Sequence, residues 1–145
     1  MLGCPAHTRT FVLRSATLSR HQHMDYKDLL VWKRAMELCL QIYDATDEFP
    51  DHEVFRITAQ LRKSAYSVPS NIAEGEGRLT WGERRQFLSQ ARGSLFELET
   101  QLIIARHRKY TSDDALFAKW AETRAILEGY IAYVRKRERG RIPTS

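Results

Sequence analysis

Apolar residues recur three and four positions apart in four separate segments of this chain, a spacing that places them along one side of an α-helix each time. The first row is Trp32, Ala35, Cys39, Ile42 and Thr46, widened by Leu29, Met36, Leu38 and Tyr43. It is expected to stop near Glu48, because Phe49-Pro50-Asp51 supplies a proline break followed by a cap residue. The second row, Val54, Ile57, Leu61, Ala65, Val68 and Ile72, stays in phase through Pro69, which predicts one helix kinked at that proline. Gly75 and Gly77 are the expected stop. Thr80 and Glu83 have the spacing of a capping box, which opens a third helix with Leu88, Ala91, Leu95, Leu98, Leu102 and Ala105 as its row and Phe87 and Phe96 beside it. A cap at Thr111-Ser112-Asp113-Asp114 opens the fourth, with Leu116, Trp120, Thr123, Leu127, Tyr130 and Val134. Four rows of similar length joined by short connections predict an all-α fold, an up-down-up-down antiparallel four-helix bundle over residues 24–137.

The chain has 145 residues, 43% of them hydrophobic, which suffices for one core without disulfides or a structural metal. Residues 1–23 lack a sustained period and hold Arg9, Arg14 and Arg20 with no acid. They read as a disordered leader or an extension translated from an early start codon, with an organellar transit peptide as the alternative. Of the net charge of +5, three units lie in that leader and about two in the rest. Residues 138–145 read as a basic tail, the end of a cluster formed by Arg135, Lys136, Arg137, Arg139 and Arg141 against Glu138. No apolar run approaches the roughly 20 residues that cross a bilayer, so no membrane association is expected. Cys4 and Cys39 suggest two free thiols in a reducing cytoplasm.

The residues offer little to a catalyst. His7, His21, His23, His52 and His107 include no pair at the spacing that sets two ligands on one helical face, so no metal is expected. Cys39 lies on an apolar row without a basic partner. Gly75-Glu76-Gly77-Arg78 lacks the Lys-Ser/Thr end of a phosphate loop and carries carboxylates that repel phosphate. Glu97, Glu99 and Glu74 lack the Glu-x-x-His half of a bundle metal site; Glu97 and Glu99 are expected to pair with Arg or Lys of a neighbouring helix or another subunit. No nucleophile, base and orienting group can be assembled, so the expectation is a protein without enzymatic activity or cofactor.

Basic residues on the second and third helices or at their ends are the candidates for contact with nucleic acid: Arg62, Lys63, Arg78, Arg84, Arg85, Arg92, Arg106, Arg108 and Lys109. Side chains of this kind contact phosphates, and an aromatic such as Trp81 beside Arg84 and Arg85 can stack on a base. The competing reading is a solvated helix face of mixed charge.

Ser67-Val68-Pro69-Ser70-Asn71-Ile72-Ala73-Glu74-Gly75 and Gly93-Ser94-Leu95-Phe96-Glu97-Leu98-Glu99-Thr100-Gln101-Leu102 resemble a bacterial four-helix-bundle family that includes proteins encoded in intervening sequences of 23S ribosomal RNA genes. Tyr26-Lys27-Asp28-Leu29, Val31-Trp32 and Phe49-Pro50 with Glu53 extend the resemblance, which runs from about Met24 to Arg135. It implies a cytoplasmic bundle without enzymatic activity, in which Ser67, Pro69, Asn71, Glu74 and Gly75 supply a kink, backbone satisfaction and a helix stop. A related branch, the accessory variability proteins of diversity-generating retroelements, implies a homopentamer that binds nucleic acid, RNA or DNA, and a reverse transcriptase. Two functions therefore compete: a homo-oligomer that binds nucleic acid, and a protein-protein interaction scaffold that does not.

Overall fold

A computed structural model describes residues 25–140. Every regular element among them is helical: α1 (Leu30–Thr46), α2 (Ile57–Glu76), α3 (Trp81–His107) and α4 (Asp114–Arg139), with single 3-10 turns at Tyr26–Asp28 and Asp51–Glu53. The leader reading, residues 1–23, lies outside the described residues, as does the tail beyond Gly140. Each helix packs against two others in the cyclic order α1, α2, α3, α4. Cross-helix partners run in opposite directions along α3 and α4: Arg85 meets Glu138, Arg92 meets Glu128, and Arg106 meets Asp114. Partner numbers that fall as the others rise are what antiparallel neighbours produce.

The core is a continuous apolar seam with Leu38, Ile42, Leu61, Ile72, Leu88, Leu95, Leu98, Leu102 and Leu127 among its fully enclosed side chains. The expected rows of α2 and α3 are buried from Leu61 and Leu88 onward. On α1 the expected Ala35, Cys39, Ile42 and Thr46 are buried together with Val31 and Leu38, while Trp32 alone of the expected row is half-buried and packs edge-on against Tyr26 with centroids 5.4 Å apart. On α4, Ile131 is buried and Tyr130 lies at the margin. A directed polar contact of long reach runs through the core from Trp120 Nε1 to the Leu95 carbonyl at 2.7 Å. It ties α4 to α3 and satisfies an indole that burial would otherwise penalise.

Helix starts follow the expected chemistry. Thr80 accepts from the Glu83 amide at 3.2 Å and Glu83 returns the bond to the Thr80 amide at 3.2 Å, completing the capping box. Asp113 caps α4 by accepting from Ala115 at 2.8 Å. α2 begins at Ile57, three residues later than the Val54 of the expected row, because Asp51–Glu53 forms its own turn and leaves Val54 and Phe55 exposed. α3 closes with Lys109 at φ 60°, a left-handed residue that lets Tyr110 donate back to the Ala105 carbonyl at 2.9 Å.

The stretch around Pro69 departs from its expected role in two respects. α2 continues unbroken through Pro69 and ends at Gly77, so Gly75 is not the helix stop. It is a buried contact point: a Cβ there would sit 3.1 Å from Phe87 Cβ and 3.3 Å from the Arg84 carbonyl oxygen, both on α3. Asn71 Nδ2 donates to the Ser67 carbonyl at 2.8 Å, not to the Ala65 carbonyl that Pro69 leaves without its donor.

These contacts fix two expected outcomes. Alanine normally stabilises a helix interior over glycine by about 1 kcal/mol, and Gly93→Ala and Gly129→Ala, which meet nothing within 4 Å, should gain roughly that. Gly75→Ala should instead lose about 1–3 kcal/mol through overpacking against α3, measured by urea unfolding. Asn71→Ala removes a local, half-buried hydrogen bond and should cost about 0.5–1.5 kcal/mol in the same assay.

Candidate nucleic-acid interface

The nine cations expected to contact phosphate do not form one surface, and six are already neutralised within the chain. Arg62 bridges α2 to the end of α1, with Nε 2.8 Å from Thr46 Oγ1 and a terminal nitrogen 2.7 Å from Asp47. Arg78 pairs with Glu74 at 2.7 Å and lies over the Phe87 ring. Arg84 pairs with Glu76 at 3.5 Å and covers Trp81, its guanidinium carbon 4.5 Å from the ring centroid. Arg85 and Arg106 hold Glu138 and Asp114 at 2.7 and 2.6 Å, and Arg92 holds Glu128. Lys63, Arg108 and Lys109 make no ion pair with a carboxylate among the described residues. Arg108 is engaged by Tyr110, whose hydrogen bond raises its already high pKa. These three are split between the middle of α2 and the end of α3.

Glu97 and Glu99 form no ion pair among the described residues, contrary to the within-chain half of their expected role. Glu97 accepts from Gln101 at 3.2 Å along its own helix. Glu74 is the exception in the motif, through its pair with Arg78.

Among the described residues a different set of cations is free of such partners. Arg135, Lys136, Arg137 and Arg139 are exposed on the last turns of α4, and the lone carboxylate among them, Glu138, is taken by Arg85. Positive charge at a helix C-terminus is favourable, which accounts for their tolerance at this density. The antiparallel pairing of α3 and α4 brings this end beside the start of α3. Trp81, Tyr133, Lys136, Arg137 and Gly140 enclose an open cleft of about 470 Å³. Next to it Arg85, Arg135, Glu138 and Arg139 surround a shallower hollow of about 240 Å³.

The aromatic side of the cleft is held from below. Tyr130 donates its hydroxyl to Glu76, which also meets Arg84. Burial, then the hydrogen bond to Glu76, pushes the Tyr130 hydroxyl well above the usual tyrosine range and keeps it protonated. Tyr133 stacks on Tyr130 with centroids 5.9 Å apart and planes 18° from parallel, and Trp81 meets Tyr133 edge-on at 6.1 Å. The Arg137 guanidinium carbon sits 5.7 Å from both the Trp81 and the Tyr133 centroids. The sequence shows the basic run on α4 and the helical spacing of Tyr133, Lys136 and Arg137. It does not show that Trp81 joins them, because that depends on the register of α3 against α4.

Among the described residues no group of His, Cys, Asp and Glu could hold a metal ion, and no helix is long and apolar enough to cross a membrane. Burial pushes the Cys39 thiol above its ordinary value, away from the thiolate a nucleophile needs.

The architecture defines a small all-helical protein of four helices. Within that class the family is specific: a family model described as 23S rRNA-intervening sequence protein matches residues 27–129, and the chain belongs to that family. The match takes in the Pro69 stretch and the α3 row and ends one residue before Tyr130. No curated protein matches the chain.

The Tyr130 hydroxyl gives a pH test. Its folded pKa is raised above the unfolded value of 10.0, so its contribution to stability is complete below pH 10.0 and is lost as pH rises further. Chemical unfolding between neutral pH and pH 11 should show stability falling at the alkaline end, and Tyr130→Phe should flatten part of that fall.

Proposed function

We propose that this protein is a non-enzymatic nucleic-acid-binding module that works as a homo-oligomer and takes the polyanion at the C-terminal end of α4. The observation that carries this reading is the exposed group Arg135, Lys136, Arg137 and Arg139, without carboxylate partners among the described residues and set beside an aromatic cleft. Of the cations expected from sequence, Arg85 adjoins this group, while Arg62, Arg84, Arg92 and Arg106 pair with carboxylates of neighbouring helices or their ends. Family membership agrees with a small bundle protein of this kind.

Self-association multiplies a modest charge. One protomer carries +5 in all, and a ring of copies, a pentamer on the family resemblance, repeats the α4 cluster around one surface. Several of the apolar residues beside the main rows are used inside the protomer: Leu38 is buried, Phe87 is covered by Arg78, and Phe96 by Arg92 and Arg124. Tyr43 and Ile103 remain exposed, and Leu40, Tyr43 and Tyr66 border an apolar groove of about 420 Å³ between α1 and α2 with Trp32, Met36 and Pro69. That groove is also the observation that favours the competing protein-scaffold reading.

Fluorescence anisotropy against salt separates the two. With four phosphate contacts, log K for a single strand should fall with log salt at a slope of about −3, and replacing Lys136 and Arg139 together by Gln should roughly halve it. Affinity insensitive to salt, or absent, favours the scaffold. Light scattering should return a mass several times 16.9 kDa; a monomer at micromolar concentration ends the oligomer reading.

A further inference from the structure

We infer that the cleft between Trp81 and Tyr133 is a stacking pocket for an unpaired nucleobase, so that the protein prefers single-stranded to duplex nucleic acid. The inference rests on the nucleic-acid reading above and names the class of ligand that this cleft selects.

The four cations of α4 alone cannot discriminate, since phosphates are present on either form. The aromatic groups can. Tyr133 is 46% exposed although it packs against two other rings. Tyr130 lies nearly parallel beneath it and is anchored through its hydroxyl to Glu76, and Glu76 is held in turn by Arg84. Trp81 stands at 83° to Tyr133, so the two rings form a floor and a wall rather than a closed pair. Arg137 lies at equal distance from both, adding a planar cation that stacks as readily as a ring. At the open side Gly140 contributes no side chain, and Lys136 places an ammonium on the rim.

A base face can reach such a corner only when it is not already stacked and paired. In a duplex both faces of each base are covered by neighbours, and a protein meets only edges and phosphates. In a single strand the base turns freely, and stacking on an aromatic is tolerant of its identity because every base has a π-face. The pocket therefore adds affinity for a flexible strand while the cations on its rim hold the flanking phosphates. Since the aromatic corner offers no fixed hydrogen-bond code, the preference is for strandedness and not for sequence.

Full-length protein is titrated into a fluorescein-labelled oligo-deoxythymidine of about 20 nucleotides, and into the same strand annealed to its complement, at one salt concentration. The single strand should bind more tightly. Tyr133→Ala should weaken single-strand binding roughly tenfold and leave duplex binding within about twofold, while Tyr133→Phe, which keeps the ring, should bind like the parent. Replacement of Lys136 and Arg139 by Gln should weaken both. Because Tyr133 lies at the surface, an unchanged Tm confirms that the Ala variant is folded; a lowered Tm shifts the reading to the Phe variant and to Arg137→Lys, which keeps charge and loses the plane and should reproduce the selective loss. Equal affinity for the two forms, or single-strand binding indifferent to Tyr133→Ala, overturns the stacking pocket and leaves the electrostatic reading in place. Failure of both forms to bind overturns the nucleic-acid reading itself.

Discussion

The close approach of α2 to α3 at Gly75 governs much of what lies at that end of the bundle. A Cβ at this position would crowd Phe87 and the α3 backbone, so glycine lets the two helices sit this close without displacement. With the helices in place, Glu76 of the next position faces both Arg84 and Tyr130. Tyr130 then supports Tyr133, and the cleft against Trp81 follows. A backbone contact in the interior is thus transmitted through a half-buried carboxylate and a phenol to a ring at the surface. Each link is short-ranged, which is why the arrangement is specific although no single bond in it is strong.

The surface charges obey a different logic. Arg85–Glu138, Arg92–Glu128 and Arg106–Asp114 cross from α3 to α4 at three heights, and Arg34–Glu122 with Lys119–Glu37 cross from α1 to α4. Each exposed pair contributes at most about 1 kcal/mol. Their effect on register is larger than their effect on stability, because sliding a helix by one turn would set like charges opposite one another. Most of the arginines that looked available for a ligand, Arg62, Arg84, Arg85, Arg92 and Arg106, are occupied in pairs that join neighbouring elements, and among the described residues unpaired charge gathers on the last turns of α4.

Periodicity made the four helices legible, because a core that must exclude water writes itself into the spacing of Leu88, Leu95 and Leu102. The caps at Thr80 and Asp113 were legible for a local reason, as each is satisfied within three residues. Gly75 was not. A glycine near a helix end suggests a stop, and only the neighbouring helix shows that it is a contact. The candidate site was half visible for the same cause: Arg135 to Arg139 stand together in the chain, whereas Trp81 lies more than fifty residues away and joins them through the register of α3 on α4. Which arginines are free is likewise a property of pairs across helices, and a single row of residues does not contain it.

The three tryptophans happen to divide the molecule into regions that light can distinguish. Trp120 is enclosed in the core with its indole nitrogen bonded to a carbonyl, Trp32 lines the groove between α1 and α2, and Trp81 stands at the cleft under two guanidinium groups. Their emission should differ in wavelength and in access to a dissolved quencher. The chain therefore carries its own optical labels: one for the integrity of the interior, one for whatever covers the groove, and one for whatever enters the cleft. Replacing any two by phenylalanine would leave a spectroscopic signal assignable to a single place.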